Sequence, residues 1–264
     1  AAGLARDAVA AGELESMAPG SFELLAEDAD SPARAGRLWT AHGPMDTPCF
    51  MPVGTYGAVK GLVASELKAI GSQTILANAY HLGHRPGSEK VAQWGGVHGL
   101  MKWDSPILTD SGGYQVFSLA ELREITEEGV RFRSPYDGVH LQLTPERSIE
   151  IQNQLGADII MAFDECVPYP CPRDVAEASL ARTHRWERRC LEAKTRDDQW
   201  LFGIVQGSTY EDLRQQSARE LASMDFPGYA IGGLSVGEGL EVMDRVLGYC
   251  AHLLPKDKPH YLMG

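Results

Sequence analysis

The sequence predicts an α/β fold of the (β/α)8 barrel type lacking its last strand, and three observations predict it. Seven short apolar runs recur along the chain, and each stops on a polar residue or a glycine. These runs are continuously apolar rather than alternating, as parallel strands covered on both faces are. Helix signals lie between most of them, with caps and closing glycines where a strand–helix repeat needs them. A doubly wound open sheet is the competing architecture. It is disfavoured because strand after strand ends on a polar group, as a ring of loops around one mouth requires. The chain carries no Gly-x-Gly-x-x-Gly fingerprint and no phosphate-binding loop.

Residues 1–20 are rich in Ala and Gly and hold Arg6 against Asp7, Glu13 and Glu15. That mixture suits neither a secretory signal nor a transit peptide, so this stretch reads as a loosely ordered extension ahead of a barrel domain at 21–264. The predicted strands are 49–53, ending at Gly54; 73–77, ending at Asn78; and 107–109, ending at Asp110. Four more follow: 159–163, ending at Asp164; 201–205, at Gln206; 229–231, at Gly232 and Gly233; and 260–263, at Gly264. A helix begins at Ser65-Glu66-Leu67 and stops at Gly71. Thr144-Pro145-Glu146 supplies a cap, a proline for the first turn and a favourable acid, and Gly156 closes that helix. Further helices begin near Pro172, carry Leu213, Ser217, Leu221 and Met224 at three-to-four spacing, and follow Gly237. Between the third and fourth strands, residues 130–132 and 139–141 alternate about the turn-prone stretch 134–138, which predicts an inserted β-hairpin.

With 264 residues, 44% of them hydrophobic, the chain is long enough to bury a full-sized core. No apolar run reaches membrane-spanning length, so no membrane partner is expected. Five scattered cysteines suggest a reducing, cytoplasmic compartment, and no close Cys/His cluster indicates a zinc site within this stretch. The net charge of −12 argues against general nucleic-acid affinity over these residues. Six basic residues between Arg182 and Arg196 fall on one predicted helix among acids, which reads as a solvated face.

The chemistry concentrates in residues 107–115. An apolar run ends on Asp110 and Ser111, followed by Gly112, Gly113, Tyr114 and Gln115. A buried strand stopping there delivers a carboxylate to the rim of a sheet. The glycines let backbone approach a ligand, and Tyr114 offers a flat face, so the stretch suits a planar polar molecule. From the residues alone, Asp110 and Asp164 would form an acid–nucleophile pair.

The motif at 109–118, Phe50-Met51-Pro52-Val53-Gly54-Thr55, Thr144-Pro145-Glu146 and the run 161–166 resemble the tRNA-guanine transglycosylase family. So do Gly203-Ile204-Val205-Gln206-Gly207, the run 231–238 and Tyr261-Leu262-Met263-Gly264. The resemblance extends from about Ser21 to the last residue. It implies exchange of the wobble guanine of certain tRNAs for a 7-deazaguanine, on the route to queuosine, by a double displacement like that of a retaining glycosidase.

The same resemblance makes Asp110 the proton-transfer residue, with Ser111, Gly112, Gly113 and Tyr114 lining the pocket beside it. It gives the base edge to Asp164 and Gln206, and the base substituent to backbone groups of Gly233 and Leu234. Tyr114 and Met263 would sandwich the ring. Cys166 and Val236 match the bacterial pattern within the family, which implies 7-aminomethyl-7-deazaguanine rather than queuine, since a valine at the substituent end leaves little room. The implied partners are tRNA, guanine and 7-deazaguanine bases, and in many members a second copy of the chain. The family's nucleophilic aspartate and its three-Cys-one-His structural zinc site correspond to positions beyond Gly264. Residues 1–264 alone are therefore expected to be inactive and to hold no cofactor. Gln206-Gly207-Ser208 stands where Gln-Gly-Gly is commoner.

Overall fold

The computed structural model describes residues 20–118, 123–134 and 138–263. The predicted extension, apart from Gly20, and the tip of the predicted hairpin lie outside them. Gly20 is tied down by its N–H, which donates to Trp39 O at 3.0 Å.

The chain opens on strands that the apolar runs did not announce. β1 (Phe22–Glu27), β2 (Arg34–Thr40) and β3 (Gly43–Thr47) form an antiparallel sheet in that order. Only one face of it is buried, so its sequence alternates, and Leu38 pairs across the ladder with Met45. α1 (Ala64–Ala69) follows, with Glu66 Oε2 accepting from Val63 N at 2.8 Å. Next come β4 (Ile75–Asn78), α2 (Ala79–Leu82), α3 (Ser88–Gln93), α4 (Gly96–Met101), β5 (Ile107–Asp110) and α5 (Gly113–Ser118). β6 (Arg123–Ile125), β7 (Val130–Arg133) and β8 (His140–Leu143) make a second antiparallel sheet, three-stranded where a hairpin was expected. The rest alternates: α6 (Pro145–Leu155), β9 (Ile159–Met161), α7 (Arg173–Ala193), β10 (Trp200–Val205), α8 (Glu211–Ser223), β11 (Gly228–Ile231), α9 (Leu240–Cys250) and β12 (His260–Leu262).

Six strands pair in parallel in the order β12-β11-β10-β9-β5-β4. Neighbours follow chain order from edge to edge, so the sheet lacks the reversal of a doubly wound fold and has the form of a half-barrel. Residues 49–53, expected as a full strand, contribute a single parallel bridge, Val53 to Leu76. Pro48 and Pro52 explain the difference, because neither has an N–H to give to a ladder.

The apolar runs conceal a period of two. Leu76, Leu108, Met161, Phe202 and Ile204 face inward and meet Leu38 and Met45 of the antiparallel sheet. Ile75, Ala77, Ile107, Ile160, Leu201 and Val205 face outward and pack beneath the helices. β1–β3 therefore floors the inner space, and the Trp200 indole fastens it by donating to Trp39 O at 3.3 Å.

The helix termini follow the predicted chemistry. Thr144 Oγ1 accepts from Arg147 N at 3.2 Å, Pro145 occupies the first turn, and Gly156 ends α6 at φ 71°. On α7 the arginines are engaged with acids: Arg182 with Glu165, Arg185 with Glu127, Arg188 with Glu220 and Arg189 with Glu146. That is a solvated, charge-balanced helix face. All five cysteines are free thiols. Among the described residues, no helix is long and apolar enough to cross a membrane.

Candidate active site

The C-terminal ends of the parallel strands open into one cavity of about 870 Å³, the size of a small-molecule site. Asp110 is the last residue of β5 and lies level with Asn78, the last residue of β4. Asp164 follows β9, Gln206 follows β10, and Gly233 and Leu234 follow β11. Met263 follows β12, and all of these residues line the cavity. So do Ser111, Gly112, Gly113 and Cys166, with Tyr114 half exposed at the mouth. The structure thus brings all of these residues to a single cavity. Val236 is the exception to the specificity argument. It does not line the cavity, whereas its neighbour Ser235 does.

Two carboxylates dominate the electrostatics. Burial pushes Asp110 up to about 7, helped by the charge of Asp164, while the Asn78 side chain pulls the other way. Its Oδ1 is buried and has no hydrogen-bond partner among the described residues. Burial likewise pushes Asp164 up to about 6, against a hydrogen bond from Gln206 Nε2 to its Oδ2 at 2.6 Å. Gln206 Oε1 is buried without a partner as well. Two acids poised near neutrality beside unused acceptor atoms are equipped to exchange protons with a bound polar ring.

The glycines let this wall close up. A Cβ built on Gly113 would lie 2.5 Å from Asp164 Oδ1 and 2.7 Å from Asp164 O, so no larger residue fits without displacing the acid. Gly112 holds φ +100°, which turns the chain from β5 into α5. The Ser148 hydroxyl donates to Ser111 O at 2.7 Å and pins that turn to α6.

A buried polar layer lies beneath the wall, and sequence reasoning gave it no role. Ser217 Oγ accepts from Gln206 N at 3.2 Å and lies 3.1 Å from His184 Nε2. Burial holds His184 down to about 4, so its imidazole is neutral there. Glu187 Oε1 accepts from Ile204 N at 2.6 Å, where β9 has ended and supplies no partner, and burial raises this acid well above its ordinary range. Arg214 is fully buried and, among the described residues, hydrogen-bonds only to backbone carbonyls. The available signal was position: Arg214, Ser217, Ala218 and Leu221 share one buried stripe of α8.

One group of metal-ligand type occurs among the described residues, at the opposite ends of the strands. His42, His98 and Asp158 gather their ligand atoms within 4.8 Å of one another. The two imidazoles stack with ring centroids 3.5 Å apart and planes 15° apart. Their in-plane lone pairs therefore run side by side instead of converging, and each ring nitrogen meets its own oxygen of Asp158.

The family described as queuine tRNA-ribosyltransferase matches residues 28–264. Queuine tRNA-ribosyltransferases from Acetivibrio thermocellus and Geobacillus thermodenitrificans are each 59% identical, over 92% and 93% of this chain and 65% of their own length. One from Halalkalibacterium halodurans is 57% identical over 94% of this chain and 66% of its own length. The chain thus spans slightly less than two thirds of the first of these relatives. With a match across nearly its whole length, the chain belongs to the queuine tRNA-ribosyltransferase family.

Proposed function

We propose that this chain carries the base-exchange site of a tRNA-guanine transglycosylase, which replaces the wobble guanine of tRNA by 7-aminomethyl-7-deazaguanine. The observation that carries the reading is Asp110, a buried acid raised to about 7, with an unpartnered oxygen in the wall of the cavity at the C-terminal ends of the strands. Guanine leaves poorly as an anion. Asp110 would protonate it as a second carboxylate attacks the ribose carbon, then take a proton from the incoming base as that base displaces the carboxylate. The second carboxylate is proposed to lie beyond Gly264. Residues 1–264 alone would then lack exchange activity.

Asp164 would accept from the ring and exocyclic N–H groups of the base, beside Gln206, and Tyr114 and Met263 would cover its two faces. The relatives' names point to queuine as the alternative base. The small-substituent reading rests on the resemblance of Cys166 and Val236 to the bacterial pattern; Cys166 lines the cavity, and the segment that carries Val236 is held by Glu238, whose carboxylate accepts from Ser235 N and from Val236 N at 2.9 Å. The structural zinc, with three Cys and one His beyond Gly264, and a second copy of the chain as partner belong to the same proposal.

Radiolabelled guanine exchange into tRNA by the full-length enzyme tests it, with cold 7-aminomethyl-7-deazaguanine or queuine as chase. Asp110→Asn should lose exchange by at least about a hundredfold, the usual weight of a general acid–base. Only the aminomethyl base should chase the label. Undiminished exchange in Asp110→Asn would remove that residue from its role. Base binding without any exchange by the wild-type full-length protein would instead favour a base-binding subunit without turnover.

A further inference from the structure

We propose that Arg214 is a positioning residue that aims the backbone N–H groups of Gly233 and Leu234 into the cavity, and so makes the site select a base with a carbonyl oxygen on that edge. This inference rests on the base-exchange reading above.

Arg214 is wholly buried on α8, and no carboxylate among the described residues accepts from it. A guanidinium in that position has given up its water and needs well-placed acceptors to offset the loss. Its partners are four carbonyl oxygens at the ends of two adjacent strands. Nε donates to Ser208 O at 2.7 Å, Nη1 to Val205 O at 2.9 Å and to Gly232 O at 2.7 Å, and Nη2 to Gly233 O at 3.3 Å. The planar fork therefore ties the loop that carries Gln206 to the loop that carries Gly233 and Leu234.

A trans peptide is planar, with the C=O of one residue and the N–H of the next pointing in opposite directions. Because Gly232 O and Gly233 O point at the guanidinium, the N–H groups of Gly233 and Leu234 point away from it. Gly232, Gly233 and Leu234 line the cavity, and Arg214 does not. Neither of those two N–H groups has an acceptor among the described residues. They form a pair of adjacent donors presented to the cavity, next to the Asp164 carboxylate, which accepts. A six-oxo purine, with its carbonyl beside a ring N–H, is the complementary edge. Lysine would keep the charge but offers no planar fork, so the two peptide planes would lose their common anchor.

The test is binding of guanine and of 6-thioguanine to the full-length enzyme by titration. 6-Thioguanine keeps every N–H and replaces the carbonyl oxygen by sulfur, a weaker acceptor. Wild type should prefer guanine. In Arg214→Lys the guanine Kd should rise about tenfold or more, the cost of losing one well-made hydrogen bond or its direction, while the 6-thioguanine Kd moves much less. The ratio then collapses. General damage to the fold would weaken both bases in proportion, so an unchanged ratio overturns the proposal. If Arg214→Lys does not fold, wild-type enzyme labelled with 15N-glycine answers the question: guanine should shift the Gly233 amide more than 6-thioguanine does, and equal shifts overturn the proposal. Wild type that binds neither base would overturn the base-exchange reading and this one together.

Discussion

Asp158 and Asp164 stand at the two ends of β9, and burial acts on both in the same direction, yet their carboxylates finish on opposite sides of the usual range. Asp158 accepts from His42 N at 3.1 Å, His42 Nδ1 at 2.8 Å, His98 Nε2 at 3.0 Å and Ile107 N at 2.9 Å. Burial alone would raise it, but the donors from His98, His42 and Ile107 together hold it below its ordinary value. Asp164 receives one side-chain donor, from Gln206, and stays raised to about 6. Asp110 keeps an oxygen with no partner and is raised to about 7. The number of donors, not the depth, separates them. A carboxylate saturated with donors is finished structure, and one short of donors is waiting for a ligand.

Breaking the saturated end should have the largest effect on stability. Asp158→Ala strands four donors among β2–β3, α4 and β5, which costs about 3–5 kcal/mol when a buried charged partner is removed. Thermal unfolding should fall by many degrees, with base affinity preserved in whatever remains folded. An unchanged Tm would deny Asp158 its role as the clasp of the floor.

A smaller effect follows from pH at the other end. The folded values of Asp110 and Asp164 lie above the ordinary aspartate value. Their stabilising contribution is therefore complete below about 4, the value expected when unfolded, and is lost as pH rises through about 6 and 7. Stability should decline across that window, and Asp110→Asn should flatten the slope because an amide has no proton to lose. An identical slope in wild type and Asp110→Asn, measured by chemical denaturation from pH 4 to 8, would contradict the raised value.

Legibility in the sequence follows the same contrast. The half-barrel strands could be read because both faces are buried, which leaves unbroken apolar runs such as 159–163, and the residues that end them are the site. β1–β3 could not be read so easily. One of its faces meets solvent, so Leu38 and Met45 belong to no continuous apolar run and are separated by Thr40, His42 and the turn before β3; the alternation of Gly36, Leu38 and Thr40 before the turn at His42 was the available signal. The run 49–53 misled because its apolar composition outweighed two prolines. Within the site, Asp110, Asp164 and Gln206 announced themselves as polar stops. Arg214 did not, because a charged residue on a helix reads as solvent-facing until its neighbours on the stripe prove buried.

The finest test of the comparison removes a single donor. His98→Gln shortens the side chain that reaches Asp158 Oδ2 from α4, while Ile107 N still serves that oxygen and His42 serves the other. The loss should be about 1 kcal/mol, the net worth of one hydrogen bond. The direction in acid is more telling than the size. A carboxylate held below its unfolded value stabilises the fold above that unfolded value, and the contribution disappears as pH falls through the folded one. With one donor fewer, the folded value of Asp158 must rise toward the ordinary one, so the acid unfolding midpoint of His98→Gln should move to higher pH. Circular dichroism between pH 2 and 5 would show it. If the midpoint stays put while Tm drops, His98 contributes packing through its stack on His42, and donor count is not what sets Asp158 apart from Asp164.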